Sequence, residues 1–231
     1  MSAFAHGASV RGREHARLGR NNQDGWAVRS GQGRLAAVVT DGCGSQPRSE
    51  VGAQLGARFL AGWLLAPGGL EALPAQALEA LCGFLDRVAS ELDGGVAARA
   101  LEELMLFTFL AVVREGQRTI AFGVGDGALL IDDTWFRLDA GPDNAPAYAA
   151  YRLARGGAPC PPEVQRHFHG EAGRCVLMTD GLPGLPAGGV ERLVDGAGGW
   201  TNPFTLQRRL TLATEAHALA DDATLVVAGG G

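Results

Sequence analysis

One local pattern constrains this chain more than any other. An apolar run of strand length ends on an aspartate followed by glycine, at Val38-Val39-Thr40-Asp41-Gly42, Gly123-Val124-Gly125-Asp126-Gly127 and Leu177-Met178-Thr179-Asp180-Gly181. Asn22-Gln23-Asp24-Gly25 puts a further aspartate just before a strand, and Asp221-Asp222 put a pair just before the last one. Asp-Gly is a favoured turn dipeptide, so any single copy reads as a turn. Three copies that follow buried-type strands would crowd their carboxylates at one end of the sheets, where they repel one another. A cation removes that repulsion. Carboxylates beside glycines, which let a backbone carbonyl approach, are hard oxygen donors and suit Mg²⁺ or Mn²⁺ rather than zinc or copper.

The surrounding pattern predicts the elements that carry these aspartates. Residues 26–29 read as a strand with Gly31-Gln32-Gly33 as its turn, and residues 35–40 as a buried strand running into Asp41-Gly42. Ser49 is placed as the N-cap of a helix whose inner face carries Val51, Leu55, Phe59 and Trp63, stopped by Pro67-Gly68-Gly69. A second helix starts near Pro74, carries Leu78, Leu81, Leu85, Val88 and Leu92, and ends at Gly94-Gly95. Residues 104–113 read as a strand, although their length also admits a helix, and Glu115-Gly116 turns the chain into residues 119–124. Further strands fall at 128–131, 176–179 and 224–227, with a last helix from Pro203 carrying Leu206, Leu210 and Ala213. Residues 139–173 and 188–199 read as irregular, and a loop as long as the first is functional or mobile. The strands come in hairpin-like pairs, which gives an α+β class with antiparallel sheets and a single domain over residues 1–231.

Composition removes several alternatives. All 20 basic residues are arginine, so P-loop, kinase and Schiff-base chemistry, each of which needs lysine, are excluded. A net charge of −5 argues against a surface that neutralises many nucleic-acid phosphates. No G-x-S-x-G or H-E-x-x-H occurs to offer another nucleophile. Cys43, Cys82, Cys160 and Cys175 form no C-x-x-C and read as free thiols. The opening stretch MSAFAHGASVRGREH has no apolar core of signal-peptide length, and residues 104–113 are too few to span a bilayer. A cytoplasmic protein without membrane contact is expected.

The order NNQD, DGCGS, GDG, TDG and DDAT, with Ser49-Glu50-Val51-Gly52-Ala53 opening a helix after the second motif, resembles the metal-dependent serine/threonine protein phosphatases of type 2C, in their compact bacterial branch. The resemblance runs from about Gly12 to Val227. It implies two antiparallel β-sheets packed as a central sandwich flanked by helices. It implies hydrolysis of phosphoserine and phosphothreonine by a water held between two Mn²⁺ or Mg²⁺ ions. Asp41 would bridge the ions and Gly42 would give its carbonyl to one of them. Asp180 and Asp221 would complete the first ion's ligands, Asp24 would sit at or just outside the second, and Asp126 would support a third. The partners implied are a phosphorylated protein substrate and a cognate serine/threonine kinase.

Several positions depart from the family pattern. Gln23 stands where an acidic residue is common, Cys43 where some members have histidine, and Asp222 where asparagine is frequent. The arginine that grips phosphate in many members falls on Gly19, which leaves Arg20, with Arg17 and Arg13 as further candidates. Gln23, Gly19 and Cys43 motivate an alternative, a phosphatase-fold module that binds or regulates a phosphoprotein or kinase without turnover. A phosphatase acting on small molecules is the third reading. His167-x-His169 reads as a solvated loop, and His15 fits the surface or the site equally. The Gly52-x-x-x-Gly56 spacing predicts close helix–sheet packing.

Overall fold

The computed structural model describes residues 3–92, 97–141, 145–153, 162–182, 185–217 and 219–230. The strands are β1 (Phe4–Val10), β2 (Gly25–Gly31), β3 (Arg34–Gly42), β4 (Phe107–Glu115), β5 (Arg118–Val124), β6 (Gly127–Ile131), β7 (Thr134–Leu138), β8 (Gln165–Glu171), β9 (Arg174–Met178) and β10 (Ala223–Gly229). The helices are α1 (Arg13–Arg17), α2 (Glu50–Trp63), α3 (Leu73–Leu92), α4 (Ala97–Leu104), α5 (Gly189–Val194) and α6 (Thr205–His217). Two five-stranded sheets, ordered β1-β10-β9-β6-β7 and β2-β3-β4-β5-β8, pair antiparallel throughout.

The central strands are apolar without alternation because both of their faces are buried. On β3, Leu35, Ala37 and Val39 meet Leu129, Leu177 and Val226 of the other sheet. The intervening Ala36 and Val38 face the layer that contains Leu60, Leu81 and Leu85 of α2 and α3. Leu193, Leu206 and Leu210 of α5 and α6 cover the outer face of the second sheet. The result is four layers, helix–sheet–sheet–helix, each interface filled by side chains worth roughly 1.5–3 kcal/mol apiece when fully buried.

The inner face of α2 differs from the expected stripe. Apart from Glu50 in the first turn, the buried residues are Gly52, Ala53, Gly56, Ala57, Leu60 and Ala61, while Leu55 is 38% exposed. Residues four apart drift by about 40° per step around a helix of 3.6 residues per turn, so four in succession do not share one face. Small residues face the sheet because the helix lies close to it. A Cβ on Gly56 would stand 2.3 Å from the ring of Phe107 on β4, while one on Gly52 would stand 2.3 Å from the Leu104 carbonyl at the end of α4. Phe59 packs sideways instead, stacked on Phe84 of α3 at 4.4 Å. Gly56→Val should therefore overpack this interface by about 1–3 kcal/mol and lower Tm by about 2–12 °C. An unchanged melting curve would contradict the close approach.

Other expectations need correction. Leu104 ends α4, and the strand begins only at Phe107; α4 is short and charged and leaves little apolar signal. The supposed loop at 139–173 contains β8, and the one at 188–199 contains α5. β8 is an edge strand whose residues are half-buried or exposed, so it lacks an apolar run. β1 and β7 were not expected either, for the same reason of position: both are edge strands. His167 and His169 accordingly sit in a strand, not a loop. His169 pairs with Glu71 at 3.4 Å, burial lowers the His167 pKa, and among the described residues no third ligand joins them. Cys43, Cys82 and Cys175 are free thiols; Cys160 and the Gly94-Gly95 helix stop lie outside the described residues. No helix among the described residues is long and apolar enough to cross a membrane.

Candidate metal centre

Strand register gathers the aspartates at one end of the sandwich. β3 ends with Asp41 opposite Thr108 and Gly42 opposite Phe107, the first residue of β4. β5 ends at Val124, level with Phe109, and Gly125-Asp126-Gly127 carries the chain across to β6 in the other sheet. There Ala128 pairs with Met178, two residues before Asp180, and Met178 pairs with Leu225 on the strand that Asp221 and Asp222 precede. The crossing needs its glycines. Gly125 and Gly127 have φ of +91° and +117°, and a Cβ on either would strike Thr108 at 2.3 Å or the Met178 carbonyl at 2.7 Å.

Asp41, Gly42, Asp126, Asp180 and Asp221 line one pocket of about 280 Å³. Asp24 approaches from the inner side. It is buried, 3% exposed, and its Oδ2 accepts a 2.9 Å hydrogen bond from the Thr179 hydroxyl. That hydroxyl in turn accepts the Thr224 N–H at 3.0 Å, so β9 and β10 fix one oxygen of Asp24. The other, Oδ1, is buried without a partner.

Asp222 is the buried support of this end. Its Oδ1 accepts the Gly12 N–H at 2.6 Å. Its Oδ2 accepts the Gln23 N–H at 2.6 Å and meets His15 Nδ1 at 2.8 Å. Donor atoms of His15, Asp221 and Asp222 lie within 4.8 Å of one another. The Asp222 oxygens are already occupied by backbone N–H groups and the imidazole, so this trio is a hydrogen-bonded brace and not a ligand set. Asp222→Ala strands two buried N–H groups and should cost about 3 kcal/mol. A thermal melt within 1 °C of wild type would contradict that role.

The electrostatics match a cation site. Burial pushes Asp41 well above the usual carboxylate range, and the charges of Asp24, Asp180, Asp126 and Asp221 add to it. Burial also raises Asp24 well above that range, with Asp222 and Asp221 contributing. Asp126 is raised to about 6 by burial and by Asp180, and Asp180 is raised by partial burial and then by Asp221. Burial and neighbouring carboxylates thus oppose the ionisation of Asp24, Asp41, Asp126 and Asp180, which a divalent ion reverses. The unpartnered Asp24 oxygen and an all-oxygen carboxylate set fit Mg²⁺ or Mn²⁺. Cys43 Sγ lies 3.1 Å from Ser45 Oγ, so the thiol already has a neighbour at the rim.

Arg20 does not line the pocket, but its guanidinium donates to the carbonyl of Gly44, which does. Arg17 and Arg13 are exposed and face Glu14, at 2.8 and 3.9 Å. His15 belongs with the site, through Asp222. Ser49 stands before α2 as expected, but its hydroxyl donates to the Cys43 carbonyl at 3.1 Å and caps nothing, holding the Asp41-Gly42-Cys43 turn instead. Gln23 is buried and donates to the Gln46 carbonyl at 2.8 Å, a structural tie. Thr108 and Tyr148 also line the pocket and had no signal in the sequence. Thr108 is one threonine in an apolar run, and Tyr148 lies in the stretch expected to be irregular. Burial, with Cys43 nearby, raises the Tyr148 phenol so that it stays protonated and a donor.

Two antiparallel sheets between helices, with an oxygen-only carboxylate centre at one end, define a metal-dependent hydrolase of the phosphatase kind. The chain belongs to the protein phosphatase 2C family, whose model matches residues 11–221. That family consists of metal-dependent protein serine/threonine phosphatases, and this chain is an enzyme of that class acting on phosphoproteins. Solved structures share the fold. Serine/threonine phosphatase Stp1 from Staphylococcus aureus is 14% identical, covering 100% of this chain and 96% of that one, with a TM-score of 0.67. The S. agalactiae serine/threonine phosphatase is 15% identical over 100% of both chains, with a TM-score of 0.65. The catalytic domain of serine threonine protein phosphatase PstP, solved with two manganese ions, is 19% identical over 98% and 97%, with a TM-score of 0.57. No curated protein sequence matches significantly.

Proposed function

We propose that residues 1–231 act as one cytoplasmic phosphatase unit that removes phosphate from phosphoserine and phosphothreonine placed by a cognate kinase. The observation that carries the site assignment is the convergence of Asp41, Asp126, Asp180 and Asp221 on one pocket, with the buried, half-unpartnered Asp24 behind it. Asp41 and the Gly42 carbonyl would hold metal at the centre, Asp180 and Asp221 would hold it on the open side, and Asp24 would serve the second ion. Asp126 would support a third. Bound Mn²⁺ or Mg²⁺ supplies a water of lowered pKa and neutralises charge on the phosphoryl oxygens. Arg20, steadied by Gly44, orients the phosphate from the rim. Tyr148 offers a neutral O–H to the same space.

The test is phosphate release from an aryl phosphate and from a phosphothreonine peptide, each with Mn²⁺, Mg²⁺ and EDTA. Release that requires metal on both supports the reading. Release from small esters alone would favour a small-molecule phosphatase. A folded, metal-binding protein that hydrolyses neither would favour the binding module.

A further inference from the structure

A second concavity, about 650 Å³, shares only Asp24 with the candidate metal ligands. Its wall includes five consecutive residues of β2, 25–29. Side chains alternate across a strand, so a groove lined by consecutive residues runs along the strand's edge and not over one face. Among the described strands β2 is the end strand of its sheet and pairs only with β3, so its other edge presents backbone N–H and C=O groups that no strand pairs. Arg29 and Arg58 stand exposed on this groove. Among the described residues Arg29 donates only to the carbonyl of Val28, and no carboxylate pairs with either guanidinium. Gln54, four residues before Arg58 on α2, shares its face. The indole of Trp26, 38% exposed, lies over Gly7, where a Cβ would come within 2.2 Å of it. At its inner end the groove reaches Asp24, whose charge raises the Asp41 pKa in the neighbouring pocket.

The geometry points to a docking groove in which an extended acidic stretch of the phosphoprotein substrate adds as a strand to β2, its carboxylates meeting Arg29 and Arg58. This rests on the phosphatase reading for the identity of the partner. Backbone pairing along an edge strand gives affinity, and the side chains flanking it give selectivity. Two unpaired guanidiniums on a chain of net charge −5 select an acidic partner against the overall charge. Through Asp24 the inner end of the groove abuts the back of the metal centre.

The probe is a fluorescein-labelled peptide of about eight residues, long enough to cover the five groove residues at about 3.3 Å each, with aspartate at alternate positions. Anisotropy should show binding that weakens with salt and falls about tenfold in Arg29→Glu/Arg58→Glu. A lysine-substituted peptide should not bind, and N-methylation of alternate amides should abolish binding if a strand is added. The same double variant should hydrolyse an aryl phosphate at the wild-type rate while its KM for a phosphopeptide carrying the acidic stretch rises about tenfold. Equal binding of acidic and basic peptides, or of wild type and variant, overturns the proposal, and intact binding after N-methylation overturns strand addition. Wild type inactive on aryl phosphate would refute the phosphatase reading, whereas the anisotropy result judges the groove by itself.

Discussion

Asp41→Asn loses phosphatase activity by about 10³-fold or more while its metal-free form melts no lower than wild type. The two effects have one cause. Asp41 is the carboxylate on which the charges of Asp24, Asp180, Asp126 and Asp221 all bear, so it is the position a shared cation neutralises most. Asparagine keeps the shape and one oxygen but gives up the charge that would hold metal. Losing several kcal/mol of transition-state stabilisation corresponds to about three decades in rate. Without metal, the same substitution relieves repulsion in a buried site and stabilises the fold. Asp180→Asn should lose activity in the same way with a smaller gain in Tm, because Asp180 is exposed. The measurements are aryl phosphate turnover with Mn²⁺ and a melt in EDTA. An Asp41→Asn protein with more than a tenth of wild-type activity would remove Asp41 from the centre. One that melts lower in EDTA would show that the metal-free site is not held under repulsion.

Asp41, Asp126 and Asp180 were legible because each is fixed by two local signals, an apolar strand before it and a glycine after it, and Asp24 and Asp221 because each stands just before a strand. Strand register then does the rest, since β3, β5 and β9 all end, and β10 begins, at the same end of the sandwich. Elements at the periphery were not legible. β1, β7 and β8 bury too little for an apolar pattern to form, and the inner face of α2 is, apart from Leu60, glycine and alanine, which carry almost no hydrophobic signal. Residues that act through tertiary contact were hidden for a different reason. Asp222 reads as a spare acid beside Asp221, yet its role depends on Gly12, His15 and Gln23, about 200 positions away. Thr179 looks like an ordinary strand residue until its hydroxyl is seen on Asp24. The groove along β2 could not be read from sequence at all, because an unpaired edge is a property of the sheet and not of the strand.

The metal-free protein should lose stability as pH rises from about 4.5 to 7.5, and saturating Mn²⁺ should reverse that trend. Asp126 sets the window, with its pKa raised from 3.8 to about 6 in the fold. Between those values the folded chain binds more protons than the unfolded one, so the slope of unfolding free energy with pH is negative. The stability is fully present below the unfolded pKa and is lost as pH rises through the folded one. For Asp126, which is only 8% exposed, the loss is on the order of 3 kcal/mol, or about 6–12 °C in Tm. Asp24, Asp41 and Asp180 are raised as well and act in the same direction. Mn²⁺ competes with protons for these oxygens, so its stabilising effect grows over the same range. Melts in EDTA and in Mn²⁺ should therefore lie close together at pH 4.5 and diverge by pH 7.5. Asp126→Asn should make the EDTA curve shallower, which isolates the share of Asp126 from that of the other titrating groups. An EDTA curve that rises with pH, with Asp126→Asn parallel to wild type, would mean that the carboxylates do not oppose one another's ionisation.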